Sequence, residues 1–181
     1  MTTRRIGIMT AGGDCPGLNA LIRAVVLAAL RRRWDVLGIE DATHGLIDLD
    51  YHRPLGNHWL TIDDVEDILA RGGTILGTSN KSDPFNYVVE RDGQRVEIDV
   101  SDRLVENYHA LGLDGLIWVG GDGSMRTAHR LHEKGMNIVG VPKTIDLDLG
   151  APTTRWDSRP RSRPSPRRST GCRTPPRAMT A

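Results

Sequence analysis

Twice in this chain a run of apolar residues ends in a glycine turn and opens into a helical pattern. Ile6-Gly7-Ile8-Met9 leads into Thr10-Ala11-Gly12-Gly13-Asp14 and then into Leu18 to Leu30, apolar on nearly every face. Gly115-Leu116-Ile117-Trp118-Val119 leads into Gly120-Gly121-Asp122-Gly123-Ser124 and a helix to about Lys134. A continuous apolar run of five residues is what a strand covered on both faces requires, and such strands belong to parallel sheets with helical crossovers. The repeated unit restricts the chain to an α/β class: a Rossmann-like, three-layer fold around a parallel sheet.

The segments between these units fill in the layer. Val36-Leu37-Gly38-Ile39 is a second strand, and Asp41 to Asn57 is a long polar connection without a clear period. Thr61 is a good N-cap, and Asp63 and Asp64 favour the first turn of a helix through its dipole, so Ile62 to Leu69 is expected to be helical and to stop at Arg71-Gly72-Gly73. Tyr87-Val88-Val89-Glu90 and Arg95-Val96-Glu97-Ile98 flank Asp92-Gly93, the turn signal of a small hairpin. Ser101 is expected to cap a helix running to about Leu111, and Ile138-Val139-Gly140-Val141 is a further strand.

In an open parallel sheet ligands bind outside the carboxyl ends of the strands, which is where both glycine turns fall. Glycine lets backbone N–H groups approach an oxyanion, and a following helix start adds partial positive charge, so each turn is a candidate phosphate cradle. Neither turn has the Gly-Lys-Ser/Thr ending of a Walker A loop, and strand-to-helix turns also use glycine for steric reasons alone. Asp122 at the mouth of such a cradle fits a Mg²⁺ ion between carboxylate and phosphate, or equally a carboxylate that accepts backbone N–H bonds in the turn. Asp14 has the second reading. Val141 to Asp148, at the end of the last strand, sets a cation (Lys143), a hydroxyl (Thr144) and two carboxylates (Asp146 and Asp148) within one turn of chain. That set suits phosphoryl transfer to an alcohol, with carboxylate as base and lysine as charge neutraliser; a polar surface turn with a Lys/Asp pair is the alternative.

Charge divides the chain. Residues 151–181 carry eight Arg against one Asp, +7, which leaves −6 of the net +1 for residues 1–150. That stretch also holds six of the ten prolines, keeps no apolar period, and is expected to be a disordered tail beyond a single domain of residues 1–150. Cys15 and Cys172 stand far apart with no CxxC spacing, which argues against a disulfide framework or zinc site. No apolar stretch approaches the roughly 20 residues of a membrane span, and the first residues lack a signal-peptide core, so a cytoplasmic location and no membrane partner are expected.

Together the motifs resemble the phosphofructokinase family. The resemblance is carried by Gly12 to Ala20, by Arg71-Gly72-Gly73-Thr74-Ile75-Leu76-Gly77-Thr78-Ser79, by Gly120 to Ser124 and by Pro142-Lys143-Thr144-Ile145-Asp146, in the family's order. It spans residues 4 to about 150, the N-terminal half of a family member, and implies the first, donor-binding lobe of a phosphofructokinase fold. The implied reaction is the Mg²⁺-dependent transfer of a terminal phosphoryl group to the 1-hydroxyl of fructose 6-phosphate in glycolysis. By position, Gly13, Gly121, Asp122, Gly123 and Ser124 would contact the donor, with Lys81 beside a further donor contact and Asp122 serving the metal. Lys143, Thr144 and Asp146 would form the catalytic set, Asp146 accepting the hydroxyl proton; Thr144, Ile145 and Asp146 would face the sugar phosphate. Arg23 falls where some members bind an allosteric nucleotide, and is otherwise a helix-surface arginine. Gly123 is the ATP-like choice and Lys143 is usual among pyrophosphate users; because a side chain at 123 would intrude on the nucleotide, ATP is the expected donor.

The chain also departs from the family. Asn80 stands where many bacterial members have arginine, Leu147 where Asn is usual, and beyond Gly150 the family's pattern ceases. A shift of reading frame in a high-GC gene would give such an Arg/Pro/Ser-rich ending. The second lobe has no counterpart in the sequence, so the 181 residues alone are expected to have little or no kinase activity, and the family's homotetramer is not expected of them. Two readings compete: an NAD- or lipid-kinase-like enzyme sharing the Gly-Gly-Asp-Gly turn, and a basic arm binding nucleic acid weakly and without sequence preference.

Overall fold

The computed structural model describes residues 3–51, 57–91 and 93–143. Within them a five-stranded sheet runs in the order β3-β2-β1-β6-β7. Its strands are β1 (Arg5–Thr10), β2 (Asp35–Gly38), β3 (His58–Trp59), β6 (Gly115–Gly120) and β7 (Ile138–Pro142). The four strands β2, β1, β6 and β7 are parallel, and β3 closes one edge antiparallel to β2. The remaining strands, β4 (Tyr87–Arg91) and β5 (Gln94–Ile98), form the hairpin expected from Asp92-Gly93, a separate antiparallel pair.

Side-chain alternation sorts the strand residues into two cores. Ile8 and Val36 face α1 (Leu18–Leu30) and the 60–76 segment, joined by Ile22, Val26, Leu60, Val65 and Ile68. Met9, Leu37, Leu116 and Trp118 point the other way, into a cluster with Leu104 and Tyr108 of α3 (Ser101–Ala110) and Ala128 and Leu131 of α4 (Asp122–Glu133). A period-2 strand buried on both faces, between two helical layers, is the three-layer α/β architecture the apolar runs demand.

Helix α1 occupies the expected residues, and three local expectations need correction. Residues 62–69 form successive turns, with Val65 N–H donating to the Ile62 carbonyl at 3.0 Å, instead of a helix. The Asp64 carboxylate caps Thr61, accepting its N–H and its hydroxyl at 2.7 Å each, and Val65 and Ile68 bury without a further turn. Ser101 is the first helical residue of α3 rather than its cap. Asp99 does the capping, accepting the Ser101 N–H at 2.8 Å and hydroxyl at 2.6 Å. The 41–57 connection is not wholly irregular, because His44–Ile47 form a one-turn helix, α2, whose Gly45, Leu46 and Ile47 are buried. Residues 144–181, with the expected tail, lie outside the described residues.

Candidate active site

The order β3-β2-β1-β6-β7 contains a switch point. From β1 the chain crosses through α1 to β2 on one side, whereas β6 pairs β1 on the other. The loops leaving β1 and β6 therefore diverge to opposite faces and leave a crevice between their starts, the place where doubly wound sheets bind ligands. In this chain the crevice is a cleft of about 380 Å³, lined by Ala11, Gly12 and Gly13 after β1, by Gly121, Gly123, Ser124 and Thr127 after β6, by Lys143 after β7, and by Trp118 and residues of the 79–83 loop.

Backbone hydrogen bonds lock these loops together. Ala11 N–H donates to the Val119 carbonyl at 2.8 Å, Gly12 N–H to Ser79 at 2.9 Å, and Lys143 N–H to Gly120 at 2.8 Å. The Thr78 hydroxyl donates to the Gly12 carbonyl. Thr10, fully buried, donates to the Gly77 carbonyl at 2.6 Å. The Arg71-to-Ser79 motif is thus a clamp on the β1 turn. Asn19, 1% exposed, secures its other end: its amide donates to the Arg71 and Gly72 carbonyls at 3.1 and 3.2 Å and its oxygen accepts the Ile75 N–H at 2.8 Å.

The glycines divide by what they serve. A Cβ on Gly120 would stand 2.5 Å from the Ser124 Cβ, and Gly12 has a φ of +78°, so the fold itself requires glycine at both. At Gly13 and Gly123 a Cβ would meet nothing within 4 Å, and neither has a positive φ. Their bareness serves no packing need of the described chain, and both line the cleft. Gly-Gly-Asp-Gly-Ser is also not a loop: Gly121 is the N-cap, and Asp122, Gly123 and Ser124 form the first turn of α4 with its free N–H groups.

Lys143 supplies the charge. It is 7% exposed, and its ammonium donates to the Gly13 carbonyl. Around the position a Gly12 Cβ would take, the Ser124 hydroxyl oxygen lies at 3.6 Å and the Lys143 nitrogen at 3.7 Å, so hydroxyl, ammonium and glycine turns converge within one phosphate's reach. Cys15, behind the turn, is buried; burial pushes its thiol upward, partly offset by the Lys143 charge and reinforced by Asp14.

The other sequence-derived candidates sit differently. Asp122 is outside the cleft lining, half-exposed, and its carboxylate is held by Arg126 one turn on. Among the described residues no three His, Cys, Asp or Glu side chains cluster as a metal cage. Mg²⁺ that arrives with a nucleotide needs no cage, because phosphates and water supply most of its oxygens beside one or two carboxylates. An exposed pair such as Asp122–Arg126 is cheap to open, so the donor set fits that mode. Lys81 is exposed and absent from the lining, where its neighbours Asn80, Ser82 and Asp83 stand. Thr144, Ile145 and Asp146 lie outside the described residues. Arg23 lies mid-helix in α1, away from the cleft lining, with a buried Nε that no described residue accepts.

Sequence reasoning passed over Trp118 as part of the cleft, and in the 79–83 loop it singled out Lys81 where Ser79, Asn80, Ser82 and Asp83 do the lining. The signal was an indole, which needs an acceptor when buried, two residues before a glycine turn.

The family model for phosphofructokinase matches residues 5–154. Over 149 residues the chain is 50% identical to the ATP-dependent 6-phosphofructokinase 1 of a Nostoc species, covering 82% of this chain and 40% of that protein. It is 47% identical to the ATP-dependent 6-phosphofructokinase 2 of Clostridium perfringens, over 81% of this chain and 39% of that one. The chain spans about 40% of the length of the curated relatives it matches. Among solved structures, Pichia pastoris phosphofructokinase in the T-state superposes with a TM-score of 0.60 at 28% identity, covering 79% of this chain and 15% of that one. Saccharomyces cerevisiae phosphofructokinase shares the fold with a TM-score of 0.64 at 24% identity, covering 84% and 21%.

Proposed function

The chain belongs to the phosphofructokinase family, and from that premise we propose that its cleft is the phosphate-binding part of the donor site of an ATP-dependent 6-phosphofructokinase. The observation that carries this reading is the meeting of three strand-end loops at the switch point around a buried ammonium, with two glycines there, Gly13 and Gly123, that packing does not explain.

The chemistry follows from the lining. Backbone N–H groups at Gly13 and at the start of α4, the Ser124 hydroxyl and Lys143 would hold the donor's phosphates and neutralise charge that builds on the transferring group. Mg²⁺, held by the phosphates and Asp122, supplies further charge neutralisation. Asp146, three positions beyond Lys143, would take the proton of the fructose 6-phosphate 1-hydroxyl as its oxygen bonds to the γ-phosphorus and the bond to ADP breaks. Thr144 and Ile145 would face the sugar phosphate. The names of these relatives, ATP-dependent 6-phosphofructokinases, support ATP as donor, and so does the open space at Gly123. The same names weigh against an NAD- or lipid-kinase reading. No helix of the described residues is long and apolar enough to cross a membrane. Residues 1–150 would be the donor-binding lobe and 151–181 a separate tail. A sugar site and a homotetramer would draw on parts of the longer relatives that have no counterpart in these 181 residues.

Thermal denaturation with MgATP, MgADP and magnesium pyrophosphate in turn tests the reading. Stabilisation by both nucleotides is expected. Stabilisation by pyrophosphate alone would move the assignment to a pyrophosphate-dependent enzyme, and no response to any of the three would overturn it.

A further inference from the structure

Trp118 lines the cleft, yet it is 2% exposed, and its indole nitrogen is buried with no acceptor among the described residues. Buried indole N–H groups are ordinarily bonded, and a donor left without an acceptor costs enough that natural sequences seldom keep one for packing alone. Phenylalanine would keep an aromatic ring in the core without that unbonded donor. The N–H is therefore the feature of Trp118 that demands an explanation.

The cleft lining is of two chemical kinds. One is the glycines Gly13, Gly121 and Gly123 with the Ser124 hydroxyl and the Lys143 ammonium. Helix α4 starts at the carboxyl end of β6 and runs back along it, so Thr127, one turn into the helix, stands level with Trp118, two residues back along the strand. The 79–83 loop lines the same cleft, with Ser82 and Asp83. The Asp83 carboxylate is anchored there, accepting the Phe85 N–H at 3.1 Å and the Asn86 amide at 2.9 Å. A fixed carboxylate repels phosphate, whereas hydroxyls, an indole N–H and an aromatic wall suit a neutral heteroatom-bearing group.

We infer that Trp118 is a specificity-determining residue on the nucleoside side of this cleft, its indole N–H donating to a neutral acceptor atom of the bound nucleotide's base or ribose. The inference rests on the donor-site reading above and deepens it. Since the nitrogen has no exposed surface, the contact requires a small local movement that uncovers it.

The test compares the affinity of the 181-residue protein and its Trp118→Phe variant for MgATP and for magnesium tripolyphosphate, which has the phosphates without the nucleoside. The variant should bind MgATP about fivefold more weakly, the worth of one neutral hydrogen bond, and tripolyphosphate equally well. Unchanged MgATP affinity, or equal weakening toward both ligands, would overturn the role of Trp118 while leaving the donor site standing. A wild-type protein that binds neither ligand would overturn the donor site itself, and this role with it. Should the variant fail to fold, the wild-type Trp118 indole ¹⁵N–¹H resonance gives the same answer: it should shift with MgATP and stay with tripolyphosphate, and a resonance unmoved by MgATP would overturn the inference.

Discussion

The ammonium of Lys143 donates a hydrogen bond to the carbonyl of Gly13, 130 positions earlier in the chain. It joins the loop after an edge strand to the turn after the central one, across the mouth of the crevice between them. A buried cation in such a place braces the glycine turn and carries the charge that a phosphate would meet.

Lys143→Met should separate these two tasks. Losing a charge-assisted hydrogen bond at a buried site costs about 1.5–3 kcal/mol, here reduced by the apolar stem that methionine retains. Urea denaturation should show that modest loss. Stabilisation by magnesium pyrophosphate should fall more than about tenfold in apparent affinity, a buried charge outweighing a neutral contact. Unchanged phosphate affinity would remove Lys143 from the site.

Gly123→Asp should leave the fold intact, because its Cβ enters open space at the first turn of α4, where an acidic side chain favours the helix dipole. The melting temperature is expected to stay within about 2 °C, the span of a few tenths of a kcal/mol. The MgATP response should vanish while the pyrophosphate response persists. An unimpaired MgATP response would show that position 123 does not face the nucleotide.

Gly120→Ala is the structural counterpart. Its Cβ would meet the Ser124 Cβ at 2.5 Å, with no flexible group free to yield, and such overpacking costs about 1–3 kcal/mol. Equilibrium denaturation should show a loss of that size, and a neutral outcome would contradict the close approach of β6 and α4.

Acid stability should depend on two local caps. Hydrogen bonds from the Ser101 hydroxyl and then its N–H hold the Asp99 carboxyl below its usual range, and the Thr61 hydroxyl and then its N–H do the same for Asp64. A carboxyl depressed in the folded state binds fewer protons there than in the unfolded chain. Its contribution is therefore present above the ordinary carboxylate range and lost as pH falls through the lowered value. Asp99→Ala and Asp64→Ala should each cost about 0.5–1 kcal/mol at pH 7, the lower range for hydrogen bonds at exposed carboxylates, and progressively less below about pH 4. A cost unchanged at pH 3 would contradict the caps.

How far the sequence led depends on the range of the interactions. Helix α1, the Tyr87–Ile98 hairpin and strand β6 follow from periodicity and turn chemistry, because their determinants are local. The 62–69 segment misled for the same reason: Thr61, Asp63 and Asp64 are a genuine helix-start signal, but Asp64 serves it by capping Thr61, and packing of Val65 and Ile68 against α1 stops the helix from propagating. His58–Trp59 pairs β2 through only two residues, too few to leave a pattern. Glycine turns that could hold phosphate were visible in the sequence, yet only the register of β1 with β6 puts them beside each other. Asn19 reads as an ordinary helix residue until its three bonds to the 71–75 loop are seen, and Trp118 reads as core until its nitrogen lacks an acceptor.

The central claim is that one phosphate cradle spans the turns after β1 and β6 and the residue after β7. Titrating the ¹⁵N-labelled chain with MgATP tests it most directly, through the backbone amide resonances. The largest shifts should fall together at Gly12, Gly13, Gly121 to Ser124 and Lys143, saturating with a single affinity. Shifts confined to one of these segments, or centred elsewhere in the sheet, would contradict it.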